Sequence, residues 1–307
     1  MKKFFLILFI SSLFLNNNAT ACLNEYYRSD PPFADGQLDL KKLLYKTEEA
    51  LPYWYHAGPS ADISFPRLDS LKAILAKRPK DFRLQSDIAV LQLKSGNNTE
   101  AIKLMEQLYA EHPDEYNIII NLGTAYEVTG NNAKALELIK KAVAINPNSH
   151  YGSEWIHINI LEQKNTATPD YSRIIGLGIK NFPEWLTNRE YKFPRPADSL
   201  KLQIAYQLHE RIAFVAPPDD IVGRLVIDFA DIVAKTDSYN EAIPFYEYGA
   251  NYSASLSTLA AERKQGLQGA QKDASGTLRG AALIWGLPLL FIAFIVIAWI
   301  RNRKRKA

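Results

Sequence analysis

The chain reads Ser95-Gly96-Asn97-Asn98-Thr99-Glu100-Ala101-Ile102 and, 34 residues later, Thr129-Gly130-Asn131-Asn132-Ala133-Lys134-Ala135-Leu136. Three prolines stand at the same interval, at Pro79, Pro113 and Pro147. A fixed period of this length is typical of helical repeat arrays, in which each unit buries its apolar face against the next. The period therefore predicts an all-α fold with two stacked units over residues 82–149.

Each unit reads as two short helices joined at a glycine. In the second unit, Gly130 separates two runs of apolar residues at helical spacing. The runs consist of Ile119, Leu122 and Tyr126, and of Ala135, Ile139, Ala142 and Val143. Glycine favours the backbone conformation that ends a helix, and proline cannot continue one. We therefore expect the first helix to end at Gly130 and the second before Pro147.

These two units resemble the tetratricopeptide repeat (TPR) family. In the second unit the resemblance rests on Gly123, Tyr126, Gly130, Ala135, Ala142 and Pro147. The first unit matches at Ala89, Gly96, Ala101 and Pro113, and it departs at Gln92, where an aromatic residue is usual, and at Leu108, where a small one is usual. The resemblance implies a TPR-type helical-repeat array (α-solenoid), in which small residues let paired helices approach closely.

The resemblance also implies that the first helix of each pair lines a concave groove for peptide or protein segments. Carried over position by position, the groove residues are Arg83, Ser86, Val90, Leu93, Asn117, Ile120, Asn121, Thr124 and Glu127. The alternative is that these positions are merely solvated, or are covered by an insertion of the chain itself.

Some members of the family bind a terminal carboxylate with Lys, Asn and Arg side chains. Asn121 matches one of those positions, but the others are occupied by Ser86, Val90, Tyr151 and Trp155. A groove of mixed polar and apolar character suits an internal peptide segment or a helix of another protein.

Apolar residues at helical spacing predict further helices on both sides of the repeats. Upstream they predict a helix over 38–50 and a second one containing Leu68, Leu71, Ile74 and Leu75, which ends at Pro79 like the second helix of a degraded repeat. Downstream they predict a capping helix over 153–163 and a divergent TPR-like pair over 221–234 and 239–252. Between these parts, four prolines in 166–196 indicate an irregular insertion, and its apolar residues favour packing on the array.

The two ends of the chain indicate a membrane-anchored protein. Residues 1–21 have a basic start, a short apolar core and a small-x-small end, which is typical of a cleaved secretory signal. Cleavage there would make Cys22 the first residue, a position at which lipidation is an alternative to a free thiol. Residues 281–300 carry no charge and are long enough to span a bilayer as one helix. The basic tail 301–307 indicates a cytoplasmic C-terminus, although a cleaved sorting signal remains an alternative.

Without the lysines of the signal and the five basic residues of the tail, 29 basic and 33 acidic residues remain, a net charge of −4. This balance argues against a nucleic-acid partner. The five histidines are dispersed, and His209-Glu210 lacks the second histidine of a zinc-protease motif. Since no nucleophile elbow or phosphate-binding loop is present either, we expect no enzyme, metal or cofactor.

The sequence thus predicts a secreted, single-pass protein whose TPR ectodomain lies on the non-cytoplasmic face, in the periplasm at the inner membrane. Its expected function is that of a protein-protein interaction scaffold or adaptor with a partner in the cell envelope. Two alternatives remain: an accessory subunit or enzyme with a site in 166–196, and a structural protein that self-associates through a stalk. The predicted segments are a signal (1–21), an N-terminal helical region with a degraded repeat (22–81), two TPR units (82–149), a capping helix with the insertion (150–196), a second helical lobe (197–252), the stalk (253–280), a transmembrane helix (281–300) and a tail (301–307).

Overall fold

The computed structural model of the chain describes residues 23–27, 64–212 and 215–281. Within these ranges the fold is all-helical, and they contain no β-strand. The helices are α1 (Ser64–Leu75), α2 (Phe82–Lys94), α3 (Asn98–Glu111), α4 (Tyr116–Val128), α5 (Asn132–Ile145), α6 (Glu154–Lys164), α7 (Phe182–Thr187), α8 (Ala197–Ile212), α9 (Asp220–Thr236), α10 (Tyr239–Tyr252) and α11 (Ser257–Ala281). A single helical turn at Ser149–Gly152 and two 3-10 turns at Tyr171–Arg173 and Ala254–Leu256 connect them.

The repeat units are the helix pairs α2–α3 and α4–α5, and each pair turns at its glycine. Gly96 and Gly130 have φ angles of 80° and 82°, in the left-handed region that glycine adopts without strain. After α4, the N–H of Asn131 donates to the carbonyl of Tyr126 at 2.8 Å, and Gly130 donates to Glu127 at 3.0 Å. This pattern satisfies the last carbonyls of the helix and explains why a glycine recurs at this place.

Close approach of the paired helices depends on the small residues of the repeat. A Cβ atom on Gly123 would lie 2.8 Å from Cδ1 of Ile139, so a larger residue at this point would require the Ile139 side chain to move. The alanines that the resemblance singled out are fully buried as well: Ala89, Ala101, Ala135 and Ala142. The apolar core between α2 and α6 is therefore continuous across both units.

The elements next to the two units complete the stack. Helix α1 packs on α2 through Leu68 and Leu71, whereas Ile74 is 40 % exposed and lies outside that contact. Helix α6 packs on α5, at the place where the sequence predicts a capping helix. The helix predicted over 38–50 lies outside the described residues.

Helices α8 to α11 form a second lobe with its own apolar core. The insertion packs on this lobe, since Phe182, Trp185 and Leu186 of α7 are buried in that core. Lys235 of α9 also fixes the insertion, because its Nζ donates to the carbonyl of Asn188 at 2.8 Å and lies 4.7 Å from the ring centre of Trp185.

The segment predicted as a stalk differs from that prediction in its first half. Helix α11 begins at Ser257 and packs along α10 and α7, with Ala260 and Leu267 buried. Its Arg263 reaches the buried Asp231 of α9, with Nε 3.0 Å from Oδ1. These residues belong to the second lobe because a helix with one apolar stripe buries that stripe whenever a complementary surface is adjacent.

The predicted signal, Cys22 and the basic tail lie outside the described residues, as does the predicted span except for Ala281. Among the helices between residues 64 and 281 that the structure describes, none is both long and apolar enough to cross a lipid bilayer.

Candidate functional site

The predicted groove residues lie on one face of α2 and α4, here called the groove face. Seven of them are buried: Ser86, Val90, Leu93, Ile120, Asn121, Thr124 and Glu127. Arg83 is exposed and Asn117 is half-buried. The short segment Leu23–Tyr27 of the same chain lies on the groove face, where Leu23 joins the apolar core and Asn24 contacts Asn121.

Asn121, in the middle of α4, binds both main-chain groups of one residue of this segment. Its Oδ1 accepts the N–H of Asn24 at 2.7 Å, and its Nδ2 donates to the carbonyl of Asn24 at 2.8 Å. A side-chain amide pairs in this way with the N–H and C=O groups of a residue, whatever side chain that residue carries. The position that the resemblance assigned to ligand binding is thus occupied by a main-chain ligand from the protein itself.

Asp87, in the middle of α2, binds the next part of the segment. Its two carboxylate oxygens accept the N–H groups of Tyr26 and Tyr27 at 2.7 and 2.8 Å. Burial raises the pKa of Asp87 to about 6, and the two N–H donors limit that rise. At neutral pH the carboxylate is therefore ionised and accepts both hydrogen bonds.

Two basic side chains bind Glu25 of the segment. Lys94 Nζ lies 2.6 Å from Oε1, and Arg67 NH1 lies 2.7 Å from Oε2, while the Glu25 side chain is only 1 % exposed. Arg67 also donates to the carbonyl of Tyr27 at 2.9 Å. Leu23, two residues before Glu25, is buried in the apolar core of the repeats. The site therefore contacts an apolar and an acidic side chain of the segment in addition to its main chain.

A buried ionic network extends from the segment to the second lobe. His150 Nε2 lies 3.0 Å from Oδ1 of Asn24, and His150 Nδ1 pairs with Glu154. His157 lies between the carboxylates of Glu154 and Glu127, at 3.2 and 2.6 Å. Glu127 also pairs with Lys164 at 2.6 Å and with Arg211 of α8 at 3.2 Å. Glu127 is therefore an internal counter-ion that joins the two lobes.

The charges of the network determine the protonation states of its members. Burial alone would lower the pKa of His157, but Glu127 and Glu154 raise it above its usual value. Burial alone would raise the pKa of Glu127, but Lys164, Arg211 and His157 hold it well below the usual range. Both groups are thus stabilised in their charged forms, as expected for buried ions that are fully paired.

The turn at 149–152 presents His150 to this network. His150 and Tyr151 have φ angles of 52° and 58°, a left-handed conformation that is uncommon for residues with a side chain. The His150 ring stacks on Tyr206 of α8, with ring centres 5.0 Å apart. Contacts with both lobes hold the turn in this conformation, and the sequence gives no periodic signal of them.

The insertion lines a separate cavity of about 650 Å³ between the 170–180 loop, α9 and α11. Its basic lining residues are Arg173, Lys180, Arg224 and Arg263. No histidine is among the described residues that line this cavity. Within the described ranges, no group of three or more His, Cys, Asp or Glu side chains has the arrangement of a metal site.

Comparison with known families identifies the repeats. Residues 93–153 match the family model described as tetratricopeptide repeat, so the prediction of tetratricopeptide repeats is confirmed for this part of the chain. Repeats of this kind generally mediate protein-protein interaction.

Among solved structures, the chain is similar to a thermophilic TPR protein of Thermus thermophilus. The two chains share 16 % sequence identity with a TM-score of 0.34, over 67 % of this chain and 91 % of that one. A comparison with curated proteins gave no match.

Proposed function

We propose that this protein is a membrane-anchored scaffold that binds a segment of a partner protein on the groove face of its repeats. The observation that carries the proposal is the binding of four main-chain groups by Asn121 and Asp87. Contacts to main-chain atoms supply affinity for a peptide of almost any sequence, and side-chain pockets then add specificity. A protein that binds rather than catalyses is consistent with the absence of a catalytic motif from the sequence.

The proposed location is the non-cytoplasmic face of a bacterial inner membrane, with the partner in the cell envelope. Support comes from the sequence of the two ends, namely the signal-like residues 1–21 and the apolar stretch 281–300 followed by basic residues. Protease added to spheroplasts should degrade the repeats while the intact inner membrane protects the short tail. Resistance of the repeats until the membrane is lysed would overturn this topology.

Partner binding is best tested by photo-crosslinking in the native membrane. Arg83 is exposed, and its guanidinium lies 5.7 Å from the ring centre of Tyr26, so a photo-reactive residue at this position sits beside the bound segment. We expect a discrete crosslinked product of higher mass in the full chain. In a chain that lacks residues 23–27, where no internal segment competes, it should weaken when Asn121→Ala removes the main-chain contacts.

The matched control carries the photo-reactive residue at Lys192, which is exposed on the insertion. A product from Lys192 with none from Arg83 would show that the partner contacts another surface, and this would overturn the proposal for the groove face. Equal products before and after Asn121→Ala would do the same.

A further inference from the structure

The segment Leu23–Tyr27 is bound like a ligand. It contacts side chains from α1, α2, α4 and the turn at 149–152, which are elements far from it in the sequence. Residues 23–25 have no regular secondary structure and residues 26–27 form a turn, so the segment gains its order from these contacts rather than from a helix of its own. Tyr26 adds an edge-on contact with Phe82, with ring centres 6.0 Å apart.

From these contacts we infer that Leu23–Tyr27 occupies the ligand position in cis, and that the partner segment which replaces it has an apolar residue followed two positions later by an acidic one. This inference rests on the proposed function of the groove face. The apolar residue takes the buried place of Leu23, and the acidic residue takes the place of Glu25 between Lys94 and Arg67.

Charge is the main source of this specificity. Lys94 and Arg67 are 12 % and 19 % exposed, so replacing Glu25 by a neutral residue would remove a buried carboxylate from beside two poorly solvated cations. A partner segment with a neutral or basic residue at this place would lose charge-assisted contacts and would be rejected. The main-chain contacts with Asn121 and Asp87 would be the same for both kinds of segment.

Because the chain's own segment occupies the groove, it competes with any partner segment and weakens the partner's apparent affinity. A ligand tethered to its own site has an effective concentration that is commonly on the order of millimolar. The apparent dissociation constant of a partner rises by the inverse of the fraction of molecules whose groove is free. Weakening the internal segment should therefore strengthen binding of a segment added in trans, although no residue of the groove face is changed.

The test uses the full chain in detergent and a dye-labelled peptide with the sequence Leu-Asn-Glu-Tyr-Tyr and blocked termini. Its matched control has Gln in place of Glu. Binding is measured by fluorescence anisotropy for the wild type and for the Glu25→Gln variant. We expect the variant to bind the Glu peptide at least about tenfold more tightly than the wild type, because the competing segment loses its two charge-assisted contacts with Lys94 and Arg67.

Two outcomes would overturn the inference about ligand pattern. One is equal affinity of the wild type and Glu25→Gln for the Glu peptide; the other is equal affinity of Glu25→Gln for the Glu and Gln peptides. Adding Lys94→Met to the variant should reduce the preference for Glu, and adding Arg67→Met as well should abolish it, while Asn121 still binds the main chain. Circular dichroism of each variant verifies that its helices are retained.

A second experiment leaves the segment and the groove unchanged, so that a folding defect cannot decide the result. A protease recognition sequence inserted after residue 40 allows the segment to be cut from the folded chain. The freed fragment should dissociate on dilution and be displaced by the Glu peptide. A fragment that cannot be displaced is a structural part of the repeats, and this result would overturn the inference.

Two further outcomes separate this inference from the proposed function. A dimer that requires residues 23–27 would show that the segment comes from a second copy, which overturns occupation in cis. A crosslinked partner at position 83 together with no peptide preference would retain the scaffold function and overturn only the ligand pattern.

Discussion

Gly223 of α9 and Gly249 of α10 face each other across the second lobe. A Cβ atom on either one would lie 3.0 Å from the carbonyl oxygen of the other. The two helices therefore meet backbone to backbone at this point, as Gly123 lets α4 meet α5 in the second repeat unit. The divergent pair thus keeps the close helix contact of a repeat although it lacks the inter-helix glycine and the terminal proline.

Replacing Gly223 by alanine should destabilise the second lobe by about 1–3 kcal/mol, because the added methyl group meets backbone that cannot move aside. Gly123→Ala should cost less, since the atom it meets is the flexible end of Ile139. The matched control is Gly269→Ala in α11, because a Cβ atom added there would have no neighbouring atom within 4 Å. The higher helix propensity of alanine should make this variant more stable than the wild type by up to about 1 kcal/mol. The free energy of unfolding in urea measures all three, and a Gly223→Ala variant as stable as the wild type would contradict this view of the contact.

Adjacent basic residues on α11 test whether this helix is part of the second lobe. Arg263 is 8 % exposed and pairs with the fully buried Asp231, whereas Lys264 pairs with the exposed Glu247 at 3.2 Å. Arg263→Met should cost about 3–5 kcal/mol because it leaves a buried carboxylate without its counter-ion. Lys264→Met should change the free energy of unfolding by less than about 1 kcal/mol. Similar small effects for both would indicate that α11 does not pack on the lobe in solution.

The buried network predicts a pH of maximum stability on the acid side of neutrality. Since the folded state raises the pKa of His157, its contribution is complete below the unfolded value near 6.5 and is lost as the pH rises through the folded value. Glu127 behaves in the opposite way, because its pKa is lowered, and its contribution is lost as the pH falls below about 4.5. Stability should therefore be greatest at about pH 5–6.

Chemical denaturation between pH 5 and pH 9 measures this dependence. His157→Gln should flatten the alkaline decline, whereas His112→Gln should retain it, because His112 stacks on Phe82 outside the network. The slope is compared rather than the absolute stability, since His157→Gln also removes buried hydrogen bonds. A wild-type stability that rises from pH 6 to pH 9 would be incompatible with the protonated state of His157.

The fold of the repeats could be predicted because its cause is local and recurs. A glycine that ends each first helix and alanines that permit close packing leave a period in the sequence, and Gly130 and Ala135 lie where the period places them. The first half of the predicted stalk shows the limit of this reasoning. Arg263 falls on the apolar side of α11 at helical spacing, but only the position of Asp231 on another helix explains its burial.

The occupant of the groove face could not be predicted for the same reason. Asn24 and Asn121 are 97 residues apart, and a single pair of complementary amides leaves no periodic signal. The resemblance pointed to Asn121, and the 34-residue period makes Asp87 its equivalent in the first unit, although Asp87 was not among the predicted groove residues. Neither the resemblance nor the period pointed to Lys94 or Arg67. Glu127, expected to face a ligand, is instead an internal counter-ion because α6 and α8 supply three cations around it.

Burial of Leu23 has a consequence for the proposal that residues 1–21 are a cleaved export signal. The proposed cleavage point after Ala21 lies only two residues before this leucine, so a processing enzyme must bind nearly the same stretch of chain that the repeats enclose. Under that proposal, the leader is removed while Leu23 is outside the core of the repeats. Premature folding would leave an uncut precursor, and maturation of this protein would depend on which of the two reactions is faster.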